Sequence, residues 1–172
     1  MLNSLEYLKT PKKDIFLSKN ALRIFGHIKS ALAKVIMLAH PDTDADLHLL
    51  TDASDRAVAG ALYQIVDGAH QPLGFYSRKL NAKEQRYSTF IHELLAVYSS
   101  VKYLTCMLIR KQFRVLTDYK PLSGAFKSAS DKYSPREFRQ MDYTSQFTSD
   151  VCCVKRAYVA DTLSSIDMVS VG

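Results

Sequence analysis

The residues in this sequence with the clearest chemical potential are four acids: Asp52, Glu93, Asp118 and Asp161. Asp52 and Asp118 each end an apolar run and each follows a threonine, in Leu50-Thr51-Asp52 and Leu116-Thr117-Asp118. A single aspartate there ordinarily caps or turns the backbone. Two of them, at the carboxyl ends of neighbouring strands, would share the crevice in which α/β sheets bind ligands. Glu93 stands one helical turn from Phe90 and from Val97. A carboxylate so close to an apolar stripe costs desolvation unless it is paired or holds a metal. Asp161 falls in the first turn of a short helix expected at 157–165, where the helix dipole alone would account for it. Together, four such carboxylates repel one another. Mg²⁺ or Mn²⁺ would relieve that repulsion, being hard ions that take oxygen ligands and keep positions open for water and phosphate. Two ions about 4 Å apart can activate a water and stabilise the leaving oxygen of a phosphodiester.

The elements that must carry these acids follow from periodicity. Leu22, Phe25, Ile28, Ala31, Leu32 and Val35 recur at helical spacing up to His40-Pro41, where proline disfavours helix in the residue before it. The aspartates in Pro41-Asp42-Thr43-Asp44-Ala45-Asp46 imitate a calcium loop. The glycine and glutamate that such a loop needs at positions six and twelve are here Leu47 and Ala53, so the segment is a polar connection. Strands are expected at 47–53, 57–66 and 71–78, with Asp67-Gly68 as a hairpin turn. Asn81 and Glu84 form a capping-box pattern, and a long helix is expected from there to about Leu108. Its core stripe would be Tyr87, Phe90, Ile91, Leu94, Tyr98, Val101 and Leu104. A fourth strand is expected at 113–117, then a short helix from Pro121. A second capping box, Ser134-Pro135-Arg136-Glu137, opens a helix to about Phe147, and a fifth strand is expected at 151–154. The order βββαβααβα implies an α/β fold with a mixed five-stranded sheet flanked by helices, an antiparallel meander beside parallel strands.

Composition narrows the partners. The 172 residues carry a formal net charge of +6, which suits a polyanion without requiring one. The longest apolar runs are far too short for a membrane span. No basic region followed by an apolar core stands at the start, so an intracellular protein, cytoplasmic or nuclear and not secreted, is expected. Cys106, Cys152 and Cys153 have no zinc-like spacing.

Taken in order, these stretches resemble the ribonuclease H domain of gypsy-type LTR retrotransposon polyproteins. The match is carried by Leu50-Thr51-Asp52-Ala53-Ser54, Tyr87-Ser88-Thr89-Phe90 running into Glu93-Leu94-Leu95-Ala96-Val97-Tyr98, Thr117-Asp118-Tyr119-Lys120-Pro121-Leu122, Gln146-Phe147-Thr148 and Val159-Ala160-Asp161-Thr162-Leu163-Ser164. The resemblance implies a ribonuclease H-like fold over 45–167. Residues 1–44 would be a connection segment, the tail of a reverse transcriptase polymerase domain that this chain lacks, and 168–172 a tail. It also implies hydrolysis of the RNA strand of RNA–DNA hybrids, with Asp52, Glu93, Asp118 and Asp161 as the catalytic residues and as ligands of two Mg²⁺ or Mn²⁺ ions. The family's usual histidine is Tyr119 here and its arginine is Ser165. The connection Val154–Val159 is about two residues shorter than the family's.

For the hybrid itself, Ser54, Arg78, Lys79, Lys83, Arg86 and Lys120 are the candidate contacts, with Lys132, Arg136 and Arg139 as a second basic group. Such residues position a duplex through its phosphates without reading sequence. Two other readings stand beside this one. The first is a catalytically degenerate retroelement fragment that only binds nucleic acid or docks a polymerase. The second is an integrase-type strand transferase, disfavoured by the order and spacing of the acids.

Overall fold

The computed structural model describes Asn20, Arg23, Ile24, residues 39–127 and residues 133–155. The chain divides into two compact units, Met1–Lys34 and Val35–Gly172. In the first, Asn20, Arg23 and Ile24 are helical. The remainder of the helix expected there, Lys132, and the expected final helix with Asp161 all lie outside the described residues.

The described part of the second unit is a mixed α/β sheet with helices. Strands β1 (Asp46–Ala53), β2 (Ala57–Val66), β3 (Ala69–Lys79), β4 (Phe113–Thr117) and β5 (Val151–Cys153) form one sheet in the order β3-β2-β1-β4-β5. β1–β2 and β2–β3 pair antiparallel, whereas β1–β4 and β4–β5 pair parallel. The hairpin between β2 and β3 turns on Asp67 and Gly68, both at positive φ, which is the geometry that matches strand twist in a two-residue turn. Alternation along the strands buries both sheet faces. Leu47, Leu49, Leu62, Leu73, Phe113 and Val115 belong to the main core, while Leu50, Ala61, Tyr63 and Leu116 form a second cluster.

Helix α1 (Thr89–Tyr103) covers the first face. After it come α2 (Thr105–Leu108), α3 (Lys120–Ala125) and α4 (Pro135–Ser145). The expected single helix from Asn81 to Leu108 is broken at both ends, for identifiable reasons. Asn81 does cap a turn, its Oδ1 accepting from the Lys83 and Glu84 amides, but that turn is a 3₁₀ segment, Glu84–Arg86. The Glu84 carbonyl then accepts from the Tyr87 amide and contacts the His92 ring at 2.7 Å, so no α-ladder continues from it. Tyr87 is extended, and Ser88 opens the true helix by accepting from the Ile91 amide. At the far end the Thr105 hydroxyl bonds back to the Val101 and Lys102 carbonyls, competing with the ladder. The core stripe is also rotated from expectation. Leu94, Val97, Val101 and Leu104 are buried, whereas Phe90, Ile91 and Tyr98 are only half-buried.

Two contacts seat α4 beside α1: Tyr143 packs edge-on against Tyr98, and Tyr133, just before α4, stacks on Phe90. On the approach to β1, the Ala39 amide donates to the Pro72 carbonyl, and Gln64 bonds both the Asp42 amide and the His40 carbonyl. The polar loop before β1 is thereby fixed to the β2–β3 hairpin.

Candidate active site

β1 and β4 run parallel with Leu50 opposite Leu116. Two residues further along each strand stand Asp52 and Asp118, so the register itself carries both acids to the same edge of the sheet. Asp52 is the penultimate residue of β1 and exposed. Beyond it the chain turns tightly: the Ser54 amide donates to the Ala57 carbonyl, and the Ser54 hydroxyl accepts from the Arg56 and Ala57 amides. Asp118 comes directly after the last residue of β4 and is half-buried. Its backbone is held on both sides. The Thr117 hydroxyl accepts from the Tyr119 amide, the Thr117 carbonyl accepts from the Val154 amide, and the Cys153 thiol lies 3.8 Å from the Asp118 carbonyl.

Glu93 reaches the same place from the helix layer. It sits in the second turn of α1 and only 4% of it is exposed. One carboxylate oxygen each from Asp52, Glu93 and Asp118 lies within 4.8 Å of the others. Three hard oxygen donors at that spacing suit a divalent cation. Oxygens at about 2.1 Å from an octahedral Mg²⁺ stand about 3–4 Å apart, within reach of small side-chain adjustments. A buried carboxylate crowded by two others also needs positive charge to offset its desolvation. The donor set therefore fits the metal chemistry expected from the sequence. Asp161 lies outside the described residues.

The basic candidates divide by their partners. Arg78 is engaged within the fold: its guanidinium meets both Glu84 carboxylate oxygens at 2.8 and 3.1 Å, and also bonds the Tyr76 hydroxyl and the Lys79 carbonyl. Glu84 uses the same carboxylate to accept from the Asn81 amide, and the Arg78 guanidinium holds the Glu84 carboxyl below its usual range. Ser54, Lys79, Lys83, Arg86 and Lys120 are exposed. Arg136, at the start of α4, lies 4.7 Å over the Tyr87 ring and donates to the Tyr87 hydroxyl.

The supports behind the acids are less visible in sequence. There Thr117 is only the neighbour of Asp118, whereas in the fold its hydroxyl and carbonyl fix the turn that presents that acid. His92, buried on the Glu84 carbonyl, ties the start of α1 to the preceding turn. The repeated Leu-Thr-Asp triplet is a signal for Thr117; no comparable signal marks His92.

Comparison with known proteins decides the family. The model of the RNase H-like domain found in reverse transcriptase matches residues 17–115. The chain belongs to this family. It is 36% identical over 118 residues to the retrovirus-related Pol polyprotein from transposon opus of Drosophila melanogaster, a match covering 68% of this chain and 12% of that protein. The chain thus spans about an eighth of the length of that relative. Among solved structures, the foamy viral protease-reverse transcriptase in complex with RNA/DNA hybrid is 15% identical, with a TM-score of 0.55, over 95% of this chain and 22% of that one. RNase H1 from Halobacterium salinarum is 12% identical, with a TM-score of 0.51, over 70% of this chain and 98% of that one. At such identities these two similarities concern the fold, and the fold is that of ribonuclease H, as expected. Among the described residues no helix is long and apolar enough to cross a membrane.

Proposed function

We propose that this domain hydrolyses the RNA strand of RNA–DNA hybrids, as one part of a retrotransposon reverse transcriptase polyprotein. The observation that carries the reading is the convergence of Asp52, Glu93 and Asp118 within 4.8 Å at the carboxyl edge of the sheet. Bound there, two Mg²⁺ or Mn²⁺ ions would supply an activated water and charge stabilisation for the leaving oxygen. Asp52 and Asp118 serve as ligands held by the β1–β4 register, and Glu93 as a ligand held by α1. Asp161 is assigned the fourth ligand position on resemblance alone. Lys79, Lys83, Arg86 and Lys120, being exposed, are free to contact phosphates, and the backbone near Asp52 and Ser54 can meet 2′-hydroxyls. Arg78 is better read as the support of the turn at Glu84. The polymerase domain is the partner implied by the longer relatives, and an intracellular setting, cytoplasmic or nuclear, goes with that reading.

A labelled RNA–DNA hybrid incubated with the protein in Mg²⁺ or Mn²⁺ should be cut in its RNA strand. Asp52→Asn and Glu93→Gln should each lower the rate about 100-fold or more, because each removes a ligand charge from transition-state stabilisation. The second reading, a degenerate copy that only binds or docks, is favoured by the short Val154–Val159 connection ahead of Asp161. Hybrid binding with no cleavage in either metal would select it.

A further inference from the structure

We infer that Gly60 and Ser100 form the spacer that sets the position of Glu93 against Asp52 and Asp118; the inference rests on the metal-centre reading. Gly60 lies within β2, paired with Thr51 of β1, in the register step next to Asp52 and Ala59. A Cβ placed on Gly60 would lie 2.2 Å from the Ser100 Oγ and 2.6 Å from the Ser100 Cβ. Carbon atoms in good contact stand about 3.5–4.0 Å apart, so α1 rests directly on the β2 backbone at this point. Glycine weakens a strand interior, and its use there marks a close approach of another element.

Ser100 is two helical turns beyond Glu93. At about 100° per residue, seven residues return to nearly the same face, about 10 Å along the axis. The height of α1 above the sheet at Ser100 and the reach of Glu93 toward the two strand-end aspartates are therefore one geometric quantity. The contact has no slack around it, since Ser100, Val97, Val101 and Leu62 are all fully buried. It is also steric in character. The buried Ser100 and Thr51 hydroxyls have no hydrogen-bond partner among the described residues, so no polar bond draws the helix down. Any side chain at position 60 must lift α1 by about 1 Å to reach an ordinary carbon–carbon distance. A displacement of that size at a reacting centre can cost about 100-fold in rate. Gly60 and Ser100 are thus positioning residues, acting through Glu93.

The decisive measurement is Mn²⁺ affinity by titration calorimetry on the folded full chain, below each variant's melting temperature. Gly60→Ala should weaken Mn²⁺ binding about tenfold or more. Gly60→Ala combined with Ser100→Gly should restore it, because only glycine removes the Cβ that clashes. A role confined to stability would lower melting temperature and leave Mn²⁺ affinity intact. Should Gly60→Ala fail to fold, Ser100→Val presses the same contact from the helix side and carries the same expectation. Parent-like affinity in the single variant, or a folded double variant no better than Gly60→Ala, overturns the spacer. The metal-free crystal structure of the single variant, or of Ser100→Val in its place, reads it independently of activity: the Glu93 carboxylate should leave the three-acid cluster. An unmoved cluster rejects the spacer and leaves the hydrolase reading standing. A parent that binds Mn²⁺ without cutting the hybrid does the reverse.

Discussion

At the scale of single residues, the partners of a side chain decide what it does more than its type does. Arg78 and Lys79 are adjacent basic residues at the end of β3, and from sequence both are candidates for phosphate contact. In the fold, Lys79 is exposed, whereas the fork of Arg78 closes on Glu84 with both distances at hydrogen-bond length. Bidentate pairing of this kind is stronger and more specific than a point contact. Nothing in a spacing of six residues announces it, because it depends on β3 folding back over the 3₁₀ turn. Removing the guanidinium leaves a nearly buried carboxylate without its cation. Arg78→Ala should therefore destabilise the domain by about 1–2 kcal/mol at neutral pH, because solvent screens a pair whose Arg78 side chain is 36% exposed. The pH dependence has a definite sign. The folded Glu84 carboxyl titrates below its unfolded value, so its stabilisation is complete above the unfolded range, about pH 4.3, and is lost as pH falls through the folded value. Urea unfolding of parent and variant should show a gap that is full at pH 7 and narrows in acid. If Arg78 were a phosphate contact instead, the variant would lose hybrid affinity without losing stability.

At the scale of elements, two capping signatures with the same sequence logic have different outcomes. Ser134-Pro135-Arg136-Glu137 forms both reciprocal bonds and opens α4, with proline at its first helical turn. Asn81-Ala82-Lys83-Glu84 also forms reciprocal bonds, yet yields only a 3₁₀ turn. Competing partners make the difference: the Glu84 carboxylate is shared with Arg78 and its carbonyl with His92, and both residues lie outside the capping segment. Local signals of this sort were legible, and so were the five strands, since alternation and turn residues are local properties. The rotation of the α1 stripe from Tyr98 to Val97 was not, because it depends on packing between the helix and a sheet built from distant segments. Ser134→Ala should test the working box. It should cost about 1 kcal/mol of stability, measured by denaturant midpoint, because the Glu137 amide loses its acceptor. Mn²⁺ affinity should stay at the parent value, since α4 contributes none of the three clustered carboxylates. A fall in metal affinity would mean that α4 holds α1 in place.

At the scale of the whole molecule, acids as far apart in the chain as Asp52 and Asp118 meet because a parallel strand pair and one covering helix end at the same edge. That convergence could be anticipated from the order of elements, while the distance between carboxylates could not, because it depends on how α1 seats on the sheet. The net charge of +6 lies in the background of this local negative site. On the proposed reading, a polyanionic substrate would be held by basic residues around the acids and drawn to the acids themselves only through bound cations. Lys79 and Lys83 are exposed near the turn that precedes α1, which makes them the lysines whose contribution salt can report. Each phosphate neutralised by a lysine releases condensed counterions, giving a slope of about −0.9 per contact in a plot of log affinity against log salt. Replacing both lysines with glutamine should weaken hybrid binding at low salt and make the slope shallower by about two. The loss should be the same for hybrids of unrelated sequence, because phosphates carry no sequence information. The measurement is fluorescence anisotropy on a labelled hybrid in Ca²⁺, a hard oxygen-binding ion of different size and coordination, chosen to hold the substrate uncut. A slope that does not change would show that these two lysines only solvate the turn, and would move the search for phosphate contacts to Arg86, Lys120 and Arg139.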